Sequence, residues 1–136
     1  MSGWFVDTSV FLMAVGSPHE DREPSRAFMA RAAGAGHRLH TSVETIQEFM
    51  FHRMRRAGRA EALGDARALS RSCVLHSFDA DVLDEALGLI ERTDLRGRDA
   101  VHAAAALTAG FDTIVSLDAD FDQVPGLRRL SPTDAH

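Results

Sequence analysis

Short apolar runs alternate with stretches of helical periodicity along the whole chain, and this alternation constrains the fold more than any other feature. A strand followed by a helix returns parallel to the previous strand after crossing one face of the sheet. The expected product is a three-layer α/β domain: a mostly parallel sheet of four or five strands with helices on both faces. Strands are predicted at 3–6 (Gly-Trp-Phe-Val), 38–40, 73–76 (Cys-Val-Leu-His) and 113–116 (Thr-Ile-Val-Ser), with a short edge strand at 127–130. Helices are predicted at 10–15, from Pro24 to about 33, directly after a Thr41 cap up to Gly58, at 59–71, after Asp79, and at 99–109. Gly34 or Gly36 and Gly110 serve as stop signals. Thr41 with Glu44 reads as a capping box for the third helix, which accounts for Glu44 without a functional role. On the helix after Asp79, the residues Val82, Leu83, Ala86, Leu87 and Ile90 share a face expected to meet the core.

The 136 residues fit one domain, 1–136, and 45% hydrophobic content allows a core without staples. One cysteine, Cys73, permits no internal disulfide, which suits a cytoplasmic protein. No signal-peptide pattern opens the chain and no apolar stretch is long enough to span a membrane. The net charge of −5 argues against a general nucleic-acid coat. It is compatible with a nuclease, because two divalent ions in an acidic pocket would nearly cancel it. All 15 basic residues are arginine, so mechanisms that depend on lysine are excluded.

In parallel sheets of this kind ligands bind beyond the carboxyl ends of the strands. Asp7 follows the first strand and Asp118 the fourth, and Glu48 lies one turn into the helix after the second. The sheet rule does not place Asp99, because two helices intervene. Gathered in one pocket, such carboxylates repel one another and require a cation. An all-oxygen ligand set favours Mg²⁺, or Mn²⁺ in its place, over zinc. Such an ion binds a phosphate and lowers the pKa of an attacking water, which points to phosphodiester hydrolysis. Each acid also has a plainer role. Asp7 and Asp99 are possible helix caps, Glu48 borders an apolar face, and aspartate-rich turns such as 116–122 are common.

The order of the pieces is more specific than any one piece. An apolar strand ends in Asp7-Thr8-Ser9, and Ser42, Thr45 and Glu48 open a helix as Ser-x-x-Thr-x-x-Glu. Arg98-Asp99-Ala-Val-His-Ala-Ala follows, and an apolar strand then runs into Ser116-Leu-Asp118-Ala-Asp120-Phe. This set resembles the PIN domain, and within it the VapC toxins, over nearly the whole chain. The resemblance implies a magnesium-dependent endoribonuclease with Asp7, Glu48, Asp99 and Asp118 around the metal. It implies Asp120 as a further acid just outside them, and Thr8, Ser9 and Ser116 as hydroxyls that hold metal waters or carboxylates in place. Many relatives carry asparagine at the position of Ser9 and threonine at that of Ser116; both changes keep a hydrogen-bonding group. The resemblance also implies 5′-phosphate and 3′-hydroxyl products, a homodimer, and a small antitoxin whose tail blocks the pocket.

Arg53 and Arg56, near a helix end with Arg55 and Arg59, either complement the helix dipole or grip RNA phosphates. Arg96 and Arg98 flank Asp99 and are the better substrate-contact candidates, unless they pair with an acid. His102 shares a helix face with Asp99, but a lone histidine beside an alanine run is more often structural than functional. Two other readings remain at this stage. One is a non-catalytic binding module on the same fold. The other is a phosphatase using Asp7 as nucleophile, disfavoured because Ser9 stands where a second acid would be needed.

Overall fold

The computed structural model describes residues 3–136. Strand β1 (Gly3–Phe5) leads into α1 (Thr8–Val15) and α2 (Arg22–Gly34). Then come β2 (Arg38–Ser42), α3 (Val43–Arg56), α4 (Arg59–Ser72) and β3 (Cys73–His76). Helices α5 (Ala80–Arg92) and α6 (Gly97–Thr108) precede β4 (Thr113–Val115). A 3₁₀ turn at Ala119–Gln123 leads to β5 (Arg128–Leu130). The expected α/β alternation is therefore present, with boundaries moved by a few residues.

All strand pairs are parallel. β1 pairs with β2 and β2 with β3, while β4 pairs with β5. A single parallel bridge between Val6 and Val115 joins the two groups, giving the spatial order β3-β2-β1-β4-β5. Backbone bonds complete that seam on both sides of β1: Val6 N–H donates to His40 O at 2.8 Å and Asp7 N–H to Val115 O at 2.9 Å. The chain leaves β1 toward β2 and later returns to its other side as β4. The strand order reverses there, and such a switch point opens a crevice above the sheet.

Successive strand residues face opposite layers. Phe5 and Ile114 pack with Val82, Ala86 and Leu89 of α5 and with the alanines of α6. Val6 and Val115 pack on the other face with Val10, Phe11, Phe28, Phe49 and Leu69. Helix α6 is buried around most of its girth through Ala100, His102 and Ala103–Ala106, the pattern of a helix enclosed on several sides. Gly36 and Gly110 adopt positive φ just past the ends of α2 and α6, where an L side chain would be strained.

Three expectations are corrected. Thr41 does not cap α3; it belongs to β2, and its hydroxyl donates to Val6 O at 2.7 Å. Ser42 is the cap, accepting from Thr45 N–H at 3.2 Å, so Glu44 is not at the capping-box position. Asp99 is not a cap either, since Arg96 precedes α6 and Asp99 lies inside its first turn. Leu83, Leu87 and Ile90 of α5 do not enter the core but stand 43%, 55% and 43% exposed, while Val82, Ala86 and Leu89 are buried.

Candidate active site

Asp7 closes β1 at the switch point and caps α1. Its Oδ2 accepts from Ser9 N–H at 3.4 Å and from the Ser116 hydroxyl at 2.9 Å. No described residue bonds its other oxygen, so capping and ligation do not compete for the same atom. Ser116 also accepts from Asp118 N–H at 3.0 Å, and Ser9 Oγ accepts from Leu117 N–H at 3.2 Å. These two hydroxyls lace the turn after β4 to the turn after β1. Asp118 in turn accepts from Asp120 N–H at 2.9 Å, opening the 3₁₀ turn.

Asp99 comes from the first turn of α6. Its carboxylate, with those of Asp118 and Asp120, offers oxygen atoms that all lie within 4.8 Å of one another. Burial, then the charges of Asp118 and Asp7, push the Asp99 carboxyl from 3.8 up to about 6. The His102 charge opposes that rise and a hydrogen bond shared with Asp118 adds to it. Among the described residues, no arginine or histidine forms an ion pair with Asp7, Asp99, Asp118 or Asp120, although the His102 charge is felt at Asp99.

Glu48 stands beside this group under different conditions. Its Oε1 lies 3.7 Å from His102 Nε2 and its Oε2 lies 3.5 Å from Arg98 Nη1. The adjacent His102 imidazole does most to hold its carboxyl down at about 2, against the opposing effect of burial, with help from the nearby Thr8 side chain and the Arg98 charge. His102 is 2% exposed. Its Nδ1 shares hydrogen bonds with Ser42 Oγ (3.1 Å) and Thr45 Oγ1 (3.4 Å), and its Nε2 with Thr8 Oγ1 (3.4 Å). Burial disfavours its charge, but the close Glu48 carboxylate and the charges of Asp7 and Asp99 raise its pKa on balance. Thr8 donates to Thr45 Oγ1 at 3.1 Å, so its hydroxyl serves this network rather than the aspartates.

The pattern of the PIN domain matches residues 4–127. Ribonuclease VapC13 of Mycobacterium tuberculosis is 32% identical over 141 residues, covering 93% of this chain and 98% of that protein. The chain belongs to the VapC ribonuclease toxins of the PIN-domain family. Ribonuclease VapC7 of the same organism is also similar, at 34% identity over 96% of this chain and 92% of its own. Among solved structures, Rickettsia felis VapBC2 bound to a promoter DNA fragment superposes with a TM-score of 0.76 at 12% identity. That match covers 94% of this chain and 97% of the other. M. tuberculosis VapC20, a toxin that cleaves the sarcin–ricin loop, gives 0.75 at 22%, over 88% and 93%. At these identities the structural likeness speaks for the fold.

The remaining sequence-derived candidates of this VapC-family chain divide clearly. Arg98 lies at the site and touches Glu48, whereas Arg96 is exposed before α6. Arg53 is tied to α4, with Nη2 3.2 Å from Asp65 and 3.9 Å from Glu61. Arg56 is exposed at the end of α3. His40 and His76 bond each other at 3.0 Å and pack on Phe111 in the layer beneath α5 and α6. Cys73 is buried, which pushes its thiol up to about 11 and leaves it inert. Among the described residues no helix is long and apolar enough to cross a membrane. Sequence reasoning underrated His102. The signal was present in its position three residues after Asp99, but its value depends on α6 packing beside α1 and α3.

Proposed function

We propose that this chain is a Mg²⁺-dependent endoribonuclease, with Mn²⁺ able to substitute, that hydrolyses RNA phosphodiester bonds within the cytoplasm. The observation that carries the reading is the un-neutralised aspartate group, in which Asp99 is held near 6 beside Asp118 and Asp7. An all-carboxylate donor set fits a hard divalent ion. His102, the nearest nitrogen ligand, is engaged with Glu48, Ser42 and Thr45. When bound, the ion supplies the charge that neutralises the phosphate and acidifies an attacking water.

Asp7, Asp99 and Asp118 would hold the ion, with Asp120 at the exposed rim. Ser116 and Ser9 fix Asp7 and the turn carrying Asp118. Glu48, kept ionised by His102, orients a water at the edge of the group. Arg98, largely exposed beside Glu48, supplies positive charge to a phosphate oxygen. Hydrolysis in which water adds to phosphorus and the 3′-oxygen leaves, as the family resemblance implies, gives 5′-phosphate and 3′-hydroxyl ends.

Two partners complete the reading. A small antitoxin protein is supported by neighbours such as the Klebsiella pneumoniae toxin–antitoxin complex, with a TM-score of 0.69. A second copy of the chain is supported by the α5 face of Leu83, Leu87 and Ile90, an exposed apolar stripe spaced i, i+4, i+7.

The test is incubation of purified protein with total cellular RNA and Mg²⁺, mapping new 5′ ends, beside an EDTA control and Asp99→Asn. Discrete cuts that need both the metal and Asp99 are expected. No cuts under any metal, from folded protein free of inhibitor, would leave a binding module.

A further inference from the structure

A groove of about 350 Å³ runs between α3 and α6, directly beside the carboxylates. Glu44, Gln47 and Phe51 line it from α3, and Gly97, Arg98 and Val101 from α6, with Glu48 and His102 at its inner end. The spacing explains the lining: 44, 47, 48 and 51 recur at i, i+3, i+4 and i+7 along one face of α3. Phe51 is 52% exposed, an unusual position for a large aromatic, and the Arg55 guanidinium lies 5.6 Å from its ring centre. Glu44 and Gln47 make no side-chain hydrogen bond or ion pair among the described residues. Gly97 adds no wall, since a Cβ there would meet nothing within 4 Å.

We infer that this groove is the subsite for an unpaired nucleobase next to the scissile phosphate, and that it favours bases carrying an amino group over uracil. The inference rests on the ribonuclease reading above and names which part of the RNA that site would read. Four features support it. Single-stranded RNA is recognised by stacking splayed bases on aromatic rings and bonding their edges, and Phe51 with Val101 offers an apolar wall for a base face. Glu48 belongs both to the groove and to the carboxylate site, so a strand whose phosphate lies over the aspartates has a neighbouring base at the groove. Arg55 and Arg98 bring positive charge to the path of the backbone. Glu44, free and acceptor-only, suits the amino hydrogens of guanine, adenine or cytosine, whereas uracil presents carbonyl oxygens in their place. The Gln47 amide both donates and accepts, and so tolerates any of them.

The test measures binding separately from cleavage. Fluorescent single-stranded RNA pentamers that differ only in the central base are titrated by anisotropy into the full chain with Asp99→Asn, so that nothing is cut. The pentamers with central G, A or C are expected to bind more tightly than the one with U. Adding Phe51→Ala should weaken all four, by about 5- to 150-fold from the loss of one base–aromatic stack, and Phe51→Trp should restore them. Adding Glu44→Gln should erase the discrimination against U, with the U pentamer gaining affinity because the new amide can donate to a uracil carbonyl oxygen. Equal binding of all four pentamers, or a Phe51→Ala protein that binds like its parent, overturns the inference and assigns the groove to a protein segment such as an antitoxin. Failure of the wild type to cut cellular RNA, with Phe51-dependent binding intact, would instead overturn only the nuclease reading.

Discussion

The two halves of the acidic site solve the same electrostatic problem in opposite ways. On one side, Asp99, Asp118 and Asp120 crowd together near Asp7, and burial together with that crowding lifts Asp99 to about 6. On the other, Glu48 meets His102 and Arg98 and drops to about 2. The Glu48 half carries its own counter-charge; the aspartate half lacks one. The difference supports the proposal that an added cation sits in the aspartate half, where like charges crowd together. Glu48 already has positive neighbours in His102 and Arg98, which supports its proposed place at the edge of the group.

The largest effect should come from the aspartate half. Loss of a group that merely supports a metal ligand costs about 10- to 100-fold, so Asp99→Asn or Asp7→Asn should lower cleavage by at least that upper value. Circular dichroism should show an intact fold, and variants as active as the parent would break the comparison.

His102→Ala should follow, lowering cleavage by about 10- to 100-fold by releasing Glu48 and Thr8. It should also destabilise the fold by about 1–3 kcal/mol, because Ser42 and Glu48 lose a buried partner. The Glu48 carboxyl, followed by NMR, should rise from about 2 toward its ordinary value. An unmoved Glu48 would mean that the halves are not distinct.

A pH series separates them by sign. Asp99 is an acid held above its unfolded value, so metal-free folded protein binds a proton between about pH 4 and 6 that the unfolded chain does not. Its effect on stability is favourable as pH falls through that window and is lost as pH rises through 6. His102, also raised, acts in the same direction. Glu48 acts oppositely: its contribution is present above its unfolded value near 4.5 and fades as pH falls toward 2. The metal-free melting temperature should therefore climb between pH 7 and 5 and fall below pH 4, and Mg²⁺ should flatten the climb. A flat metal-free profile would deny the repulsion.

The smallest effect belongs to Arg98→Gln. Arg98 is 72% exposed in its pair with Glu48, and such pairs contribute about 0–1 kcal/mol. Stability should barely change. A large loss would mean that Arg98, not His102, carries the neutralisation of Glu48.

Much of the fold was legible because strand and helix periods are local properties, and Asp7 and Asp118 were placed by the rule for parallel sheets. Asp99 was identified by motif but not by position, since two helices separate it from the nearest preceding strand. The misreading of α5 has a physical reason. Its sequence carries apolar residues around a wide arc, and periodicity does not say which part of that arc the chain itself covers. Thr41 and Ser42 are adjacent hydroxyls, and only the end of β2 decides which one caps α3. The importance of His102 depends on α6 lying against α1 and α3, a relation that links residues far apart in the chain.

The buried alanines of α6 have a last consequence. Ala100, Ala103, Ala104 and Ala106 are fully enclosed, so the helix that bears both Asp99 and His102 sits as near its neighbours as a methyl group allows. Side-chain bulk, rather than a bond, acts as the spacer that sets the gauge of the whole site. A valine wedged in at Ala103 would touch no reacting group, yet it would drive α6 outward and carry Asp99 of one half and His102 of the other out of alignment together, much as a shim under a machine bed displaces every tool mounted on it.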